Sequence, residues 1–270
     1  MSHWKIREYS AADIPALKRL WTDSFSDSPA FTDVFFSCLP HMGSGLVALT
    51  EAEIMGAAYV IDALSLCRPG EKPLKAGYIY GVSVAESHRG AGVGARLVQS
   101  AVELAKDRGA DIVSTLPAEE SLYGWYERIT GMKHRLYRRK SLAAAAAGER
   151  PVKLSAREAL ILRESILSDR AHVSLTLPAM GFQQLLMEES GGGFFSLMGG
   201  LAAAYTDGGQ TLVRELILPR EEDVLTAAAG IAHALNTGSA LYFSAAAEGE
   251  SYILSDRALP PDTVWNLSFD

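Results

Sequence analysis

Cysteine is scarce: Cys38 and Cys67 are the only two in 270 residues, and they form no CxxC pair. That excludes a disulfide framework and offers no zinc-finger spacing, so both read as small core hydrophobes. No apolar run reaches the ~18 residues that a membrane span needs. The first ten residues, MSHWKIREYS, lack a basic stretch followed by an apolar one, so no secretory leader is expected and the expected location is the cytoplasm, off the membrane. Basic excess is missing as well. Residues 1–140 carry 17 Lys and Arg against 16 Asp and Glu, and residues 141–270 carry 8 against 16. Nucleic acid rewards clustered cations, so an acidic half argues against such a partner. A solvated acidic face is the plain reading, and it would also suit a cationic substrate.

What is present is the composition of a globular protein, 48% hydrophobic and 21% charged, long enough for two domains at roughly 100–200 residues each. WKIREYS reads as a strand, and Ser10 with Asp13 three residues on opens the helix AADIPALKRLWTDSF with a capping box. A second helix over 29–39 is expected to end by Pro40. GLVALTE and IMGAAYVIDALSL read as antiparallel strands meeting at residues 51–53, and AGYIYGVSV as a third. After a glycine cluster, Val93, Leu97, Val98, Ala101, Val102, Leu104 and Ala105 recur at helical spacing, with Gly109 as the residue past the helix end. DIVSTL is a strand, ESLYGWYERI a short helix and MKHRLYRRK a last strand, which gives the order βααβββαβαβ.

LAAAAAGERP, residues 142–151, has no amphipathic stripe and meets Gly148 and Pro151; it reads as a linker between domains at 1–141 and 152–270. Beyond it the plan recurs in weaker form. SAREALILRESILSD and PAMGFQQLLMEE are helices, GGFFSLMGGLAAAYTDGGQTLVRELIL holds three strands, PREEDVLTAAAGIAHALNTG is a helix and SALYFSAA a strand. The expected fold class is α/β with mixed sheets, the second lobe a degenerate copy without the glycine cluster.

That cluster is Arg89-Gly90-Ala91-Gly92-Val93-Gly94-Ala95, with a strand before it and a helix after. A helix start leaves several N–H groups without partners and carries partial positive charge, so glycines there let an anion approach the amides. A P-loop would place Lys and then Ser or Thr after its last glycine, where Ala95 and Arg96 stand. A dinucleotide site wants GxGxxG and an acidic residue ending the next strand, and neither is present.

Arg-x-x-Gly-x-Gly after GVSV, at the head of a long helix, resembles the acetyl-CoA loop of the GNAT (GCN5-related N-acetyltransferase) superfamily, and βααβββαβαβ is that family's order. PAEESLYGWYERITGMKH resembles the family's FYEKxGF region, so the likeness covers residues 4–140. It implies that Val82, Ser83 and Val84 offer strand amides to the pantetheine arm of acetyl-CoA, the co-substrate, where strands 4 and 5 part. Arg89, Gly90, Ala91, Gly92, Val93, Gly94 and Ala95 would then hold the pyrophosphate. With Tyr80, LPAEESLY and the second lobe, the chain looks most like the two-lobed relatives of the mycobacterial enhanced intracellular survival acetyltransferases.

Acetyl transfer needs a neutral amine, a stabilised oxyanion and a proton for the departing thiolate. A tyrosine can give that proton. Tyr126 sits at the family's YE position, and Tyr123, one turn earlier on the same face, is the alternative because Gly131 lies five residues after Tyr126 instead of four. The amides of strand 4, Val84 included, are the expected oxyanion donors. For the base, Tyr80 stands where many members have a carboxylate, which leaves Glu119 and Glu120 acting through water. In the two-lobed group the base is the carboxyl terminus of a third, sterol-carrier-like domain; the sequence ends at Asp270 with no room expected for that domain, so this route assigns no base, although the Asp270 carboxylate could still reach the site. His88 reads as a solvated turn residue and KHRLYRRK as a cation-decorated edge strand. No spacing indicates a metal. The expected activity is N-acetyl transfer to a small amine or a lysine-bearing acceptor, with an acyl-CoA sensor as the alternative and a homo-oligomer left open.

Overall fold

The computed structural model describes residues 4–25 and 27–267. The chain divides into two compact units, and neither is one continuous segment: the first comprises residues 1–65, 74–135 and 253–258, the second 66–73, 136–252 and 259–270.

In the first unit, β1 (Lys5–Glu8) is followed by α1 (Ile14–Phe25), α2 (Pro29–Met42), β2 (Gly43–Leu49), β3 (Ile54–Cys67), β4 (Leu74–Val84), α3 (Val93–Asp107), β5 (Ile112–Thr115) and α4 (Glu120–Thr130). This is the expected order. The Ser10–Asp13 capping box forms, ahead of a single 3₁₀ turn that leads into α1. Arg7 donates to both oxygens of Asp13 at 2.7 and 2.9 Å, which holds that carboxyl well below its usual range. Pro40 does not end α2, which runs to Met42. A proline removes one helical hydrogen bond, and here Phe35, Phe36, Leu39 and Met42 are all buried, so packing of the last turn outweighs it.

The sheet runs β1-β2-β3-β4-β5. β4 and β5 are parallel over Ala76–Ile79 and Ile112–Thr115, with α3 as their crossover. Burial of Val93, Leu97, Val98, Ala101 and Ala105 seats α3 on this sheet, each large side chain contributing about 1.5–3 kcal/mol. Gly81 has φ +57°, and a Cβ there would lie 2.5 Å from the Trp21 ring, so only glycine fits where β4 bends over the aromatic cluster of Trp21, Phe35 and Tyr80.

The place beyond β5 goes to a late strand that the sequence reading missed. Residues 254 and 255 of β13 (Glu250–Ser255) pair antiparallel with β5, Leu254 opposite Thr115 and Ser255 opposite Ser114. MKHRLYRRK becomes part of β6 (His134–Ala144), which past Arg135 lies in the second unit and pairs with β12 (Ser239–Ala246). The expected linker therefore starts as strand, and a cut at 142–151 is not where the compact units divide. Alanines at 143 and 144 are weak strand formers, but their partners Ala240 and Ser239 form the ladder.

In the second unit, β6 is followed by β7 (Val152–Leu154), α5 (Ala156–Ile166), β8 (His172–Leu175), α6 (Leu177–Glu189), β9 (Gly193–Leu197), β10 (Gly200–Asp207), β11 (Gln210–Ile217), α7 (Val224–Ala234) and β12. Its sheet order is β6-β12-β11-β10-β9-β7. β11 and β12 are parallel with α7 between them, the same strand, helix, strand core as β4-α3-β5. The connection differs in charge: Glu221, Glu222 and Asp223 stand just before α7, where the first unit has glycines. Three carboxylates there repel an anion.

Candidate active site

The glycine cluster forms the wall of an open cleft of about 510 Å³ in the first unit, lined by Val82, Val84, His88, Arg89, Gly90, Gly92, Val93, Gly94, Ala95, Leu122, Trp125 and Tyr126. Four elements build it: the end of β4, the loop, the start of α3 and one face of α4. β4 pairs with β5 only as far as Ile79 opposite Thr115. Past that point the strands have parted, and the side chains of alternate residues Val82 and Val84 face the cleft.

Gly90 and Gly92 have φ +79° and +81°, with nothing within 4 Å of where a Cβ would sit. Backbone conformation, not crowding, requires glycine at both. Gly92 is the N-cap of α3 and supplies no side-chain cap, so the first amides of the helix, at Val93, Gly94 and Ala95, look out without an intrahelical acceptor. Arg89 is held at the loop mouth by donating from Nε to the Val84 carbonyl at 3.1 Å. His88 Nε2 meets Glu53 Oε1 at 2.9 Å. The arrangement presents amides, a helix N-terminus and a guanidinium to one space, which is the electrostatics of a phosphate cradle.

Tyr126 is buried with its hydroxyl on Thr115, and burial pushes its pKa up to about 12. Thr115 Oγ1 in turn donates to the Ile79 carbonyl at 3.0 Å. The Tyr126 hydroxyl is therefore placed where β4 and β5 part. The same burial makes it a weaker acid than an ordinary tyrosine: full proton transfer to a thiolate whose acid has a pKa near ~8.5 runs uphill by on the order of 5 kcal/mol.

Five expected residues stand apart. Tyr123 is buried, with the Arg135 guanidinium 4.5 Å over its ring, and it does not line the cleft; its face of α4 packs into the core. Glu119 is the N-cap of α4 and accepts from the Ser121 hydroxyl at 3.2 Å, also off the cleft, while Glu120 pairs with Arg135. Ser83 is buried with its side chain on the opposite face of β4, as strand alternation dictates, and the exposed Ala91 is not part of the cleft wall. Tyr80 packs against Trp21 and Phe35. Asp270 lies outside the described residues. Leu122 and Trp125 also line the cleft; Leu122 lies four residues before Tyr126 and three before Trp125, the spacings at which side chains on a helix are neighbours.

Residues 5–127 match the acetyltransferase (GNAT) domain family. The amino-terminal half of the chain is a GNAT domain. Solved structures extend the likeness of fold over both units of the chain. A GCN5-related N-acetyltransferase from Kribbella flavida is 18% identical with a TM-score of 0.69, covering 94% of this chain and 70% of its own. A GCN5-related N-acetyltransferase from Anabaena variabilis is 15% identical at TM-score 0.67, covering 94% and 72%. Eis1 from Mycobacterium abscessus is 14% identical at TM-score 0.61, covering 93% and 73%. At these identities the likeness is one of fold. A search among curated proteins finds no match. Among the described residues no helix is long and apolar enough to cross a membrane.

Proposed function

We propose that this GNAT protein transfers an acetyl group from acetyl-CoA to a primary amine, in a ternary complex and without a covalent acyl-enzyme. The observation that carries the reading is the coincidence, in one cleft, of an uncapped helix start, two positive-φ glycines, Arg89, a freed strand edge and a tyrosine hydroxyl. The pyrophosphate would sit on the amides of Val93, Gly94 and Ala95 beside Arg89. The pantetheine arm would lie along Val82 and Val84, with the thioester toward Tyr126.

The neutral amine attacks the thioester carbonyl carbon, forming the C–N bond as the C–S bond breaks. Strand amides at Val84 would face the developing oxyanion. Tyr126 donates a hydrogen bond to the thiolate as charge builds on sulfur; with its pKa raised, it stabilises that charge, while the attacking nitrogen releases its surplus proton to solvent and solvent protonates the thiolate. Among the described residues no carboxylate lines the cleft, so the acceptor would enter with its amine already neutral. The acidic second half, 16 carboxylates against 8 cations, favours cationic acceptors such as polyamines or lysine side chains.

That absence of a carboxylate also favours a second reading, an acyl-CoA sensor without turnover. A panel of amines assayed by thiol release and by mass of the acetylated product separates the two: amine-dependent release of one thiol per product supports the enzyme.

Gly94 gives a sharper test of ligand placement. A Cβ there would lie 3.4 Å from Val84 and 3.9 Å from Trp125, ordinary contacts that would narrow the cleft. Gly94→Ala is expected to raise the melting temperature, since alanine is better in a helix by about 0.5–1 kcal/mol, while weakening CoA binding by roughly tenfold, or ~1.4 kcal/mol. Unchanged affinity by titration would move the ligand off this wall.

A further inference from the structure

The second unit gathers three side chains far apart in sequence. Cys67 ends β3, Glu164 lies on α5 and His172 opens β8; one donor atom from each lies within 4.8 Å of the other two. We propose that Cys67, Glu164 and His172 hold a divalent transition-metal ion of the zinc type, clipping α5 and β8 to the end of β3. The three belong to a single compact unit, and the site is separate from the CoA cleft.

The donor set fits such an ion. Thiolate, imidazole and carboxylate are the ligands zinc takes, and bond lengths of about 2.0–2.3 Å place tetrahedral donors roughly 3.5 Å apart. His172 Nε2 and Glu164 Oε2 already stand 3.1 Å apart, so the thiol has only on the order of 1 Å to close.

The surroundings are those of an oriented ligand shell. His172 Nδ1 lies 2.9 Å from the Arg170 carbonyl. A carbonyl accepts only, so Nδ1 carries the proton and Nε2 is the coordinating nitrogen, the arrangement that metal-bound histidines adopt. Ser174 serves both other ligands: its backbone N–H faces the Cys67 sulfur and its hydroxyl donates to Glu164. Arg163 donates to Glu164 Oε1 at 3.3 Å, fixing one carboxylate oxygen and leaving Oε2 toward the histidine.

The cluster is mostly shielded from solvent, His172 being 5% exposed and Glu164 34%. The side-chain exposure of Glu164 leaves a path for the ion and for a water as fourth ligand. Sequence spacing hid the site because its ligands are 97 and 8 residues apart, unlike the short CxxC and HxxxH signatures.

The test uses full-length protein stripped with chelator and titrated with Co²⁺, whose bond to a thiolate gives a near-ultraviolet charge-transfer band. One equivalent is expected to produce the band, zinc to abolish it by competition, and Cys67→Ser to remove it, while Cys38→Ser retains it. Excess zinc should raise the melting temperature of the wild type, and Glu164→Gln should weaken binding by about 10- to 100-fold. His172→Gln could fail to fold; Cys67→Ser, checked by circular dichroism, keeps the outcome decisive. No band in the wild type, or a band that survives Cys67→Ser, overturns the proposal and leaves His172 and Glu164 as an ion pair that ties β8 to α5.

Discussion

Replacing Glu215 by Gln is expected to destabilise the protein by about 3–5 kcal/mol. Glu215 on β11 and Arg163 on α5 have no exposed side-chain surface, and they meet in a bidentate pair at 2.8 and 3.0 Å. Arg163 also donates to the Val173 carbonyl at 2.9 Å, so one guanidinium ties α5 to both β11 and β8. Charge burial is costly, and a pair of this kind is retained only while both members are present. Loss of the carboxylate charge leaves a fully buried guanidinium with the longer 3.3 Å contact to Glu164 in place of its bidentate partner, whereas replacing both members, Arg163→Met with Glu215→Leu, is expected to cost much less than the single change. Urea unfolding in the presence of chelator, so that no ion at Cys67 contributes, measures both. A single substitution within about 1 kcal/mol of wild type would mean that water or rearrangement satisfies Arg163.

Tyr126→Phe is expected to lower kcat by about 10²-fold while leaving CoA affinity nearly unchanged. The phenol sits at the parting of β4 and β5, hydrogen-bonded to Thr115, and phenylalanine keeps the packing while deleting the one donor. Because burial raises its pKa to about 12, Tyr126 stays protonated throughout the neutral range, and the pH profile of kcat/KM should carry no alkaline limb from it there. Tyr123→Phe, on the core side of the same helix, is the control and should change kcat little. Equal turnover in Tyr126→Phe and wild type would reduce Tyr126 to a packing residue.

Much of this was legible before any coordinates, and the reasons differ by element. Helices α3 and α5 announce themselves through apolar spacing and capping residues, and the phosphate-type loop through a glycine run between strand and helix. The short strands β7 and β8 carry three and four residues, too few for alternation to register. β13 was missed for another reason: SYILS is a plain apolar run whose partner, β5, lies about 140 residues earlier. The same distance in sequence concealed that MKHRLYRRK crosses from one unit into the other. In the cleft, strand alternation separates Val82 and Val84 from Ser83, a distinction the motif alone does not make. The choice between Tyr126 and Tyr123 likewise needed the packing of Arg135 on the inner ring.

The central claim is that the α3 amino terminus is a CoA site, and calorimetric titration with CoA tests it most directly. Wild-type protein is predicted to bind one equivalent in the micromolar range. Arg89→Ala combined with Gly92→Glu, which removes the mouth cation and sets a carboxylate and a strained φ at the N-cap, is predicted to bind none while remaining folded by circular dichroism. Equal binding by both proteins, or none by the wild type, would contradict the account and leave the glycines as a turn.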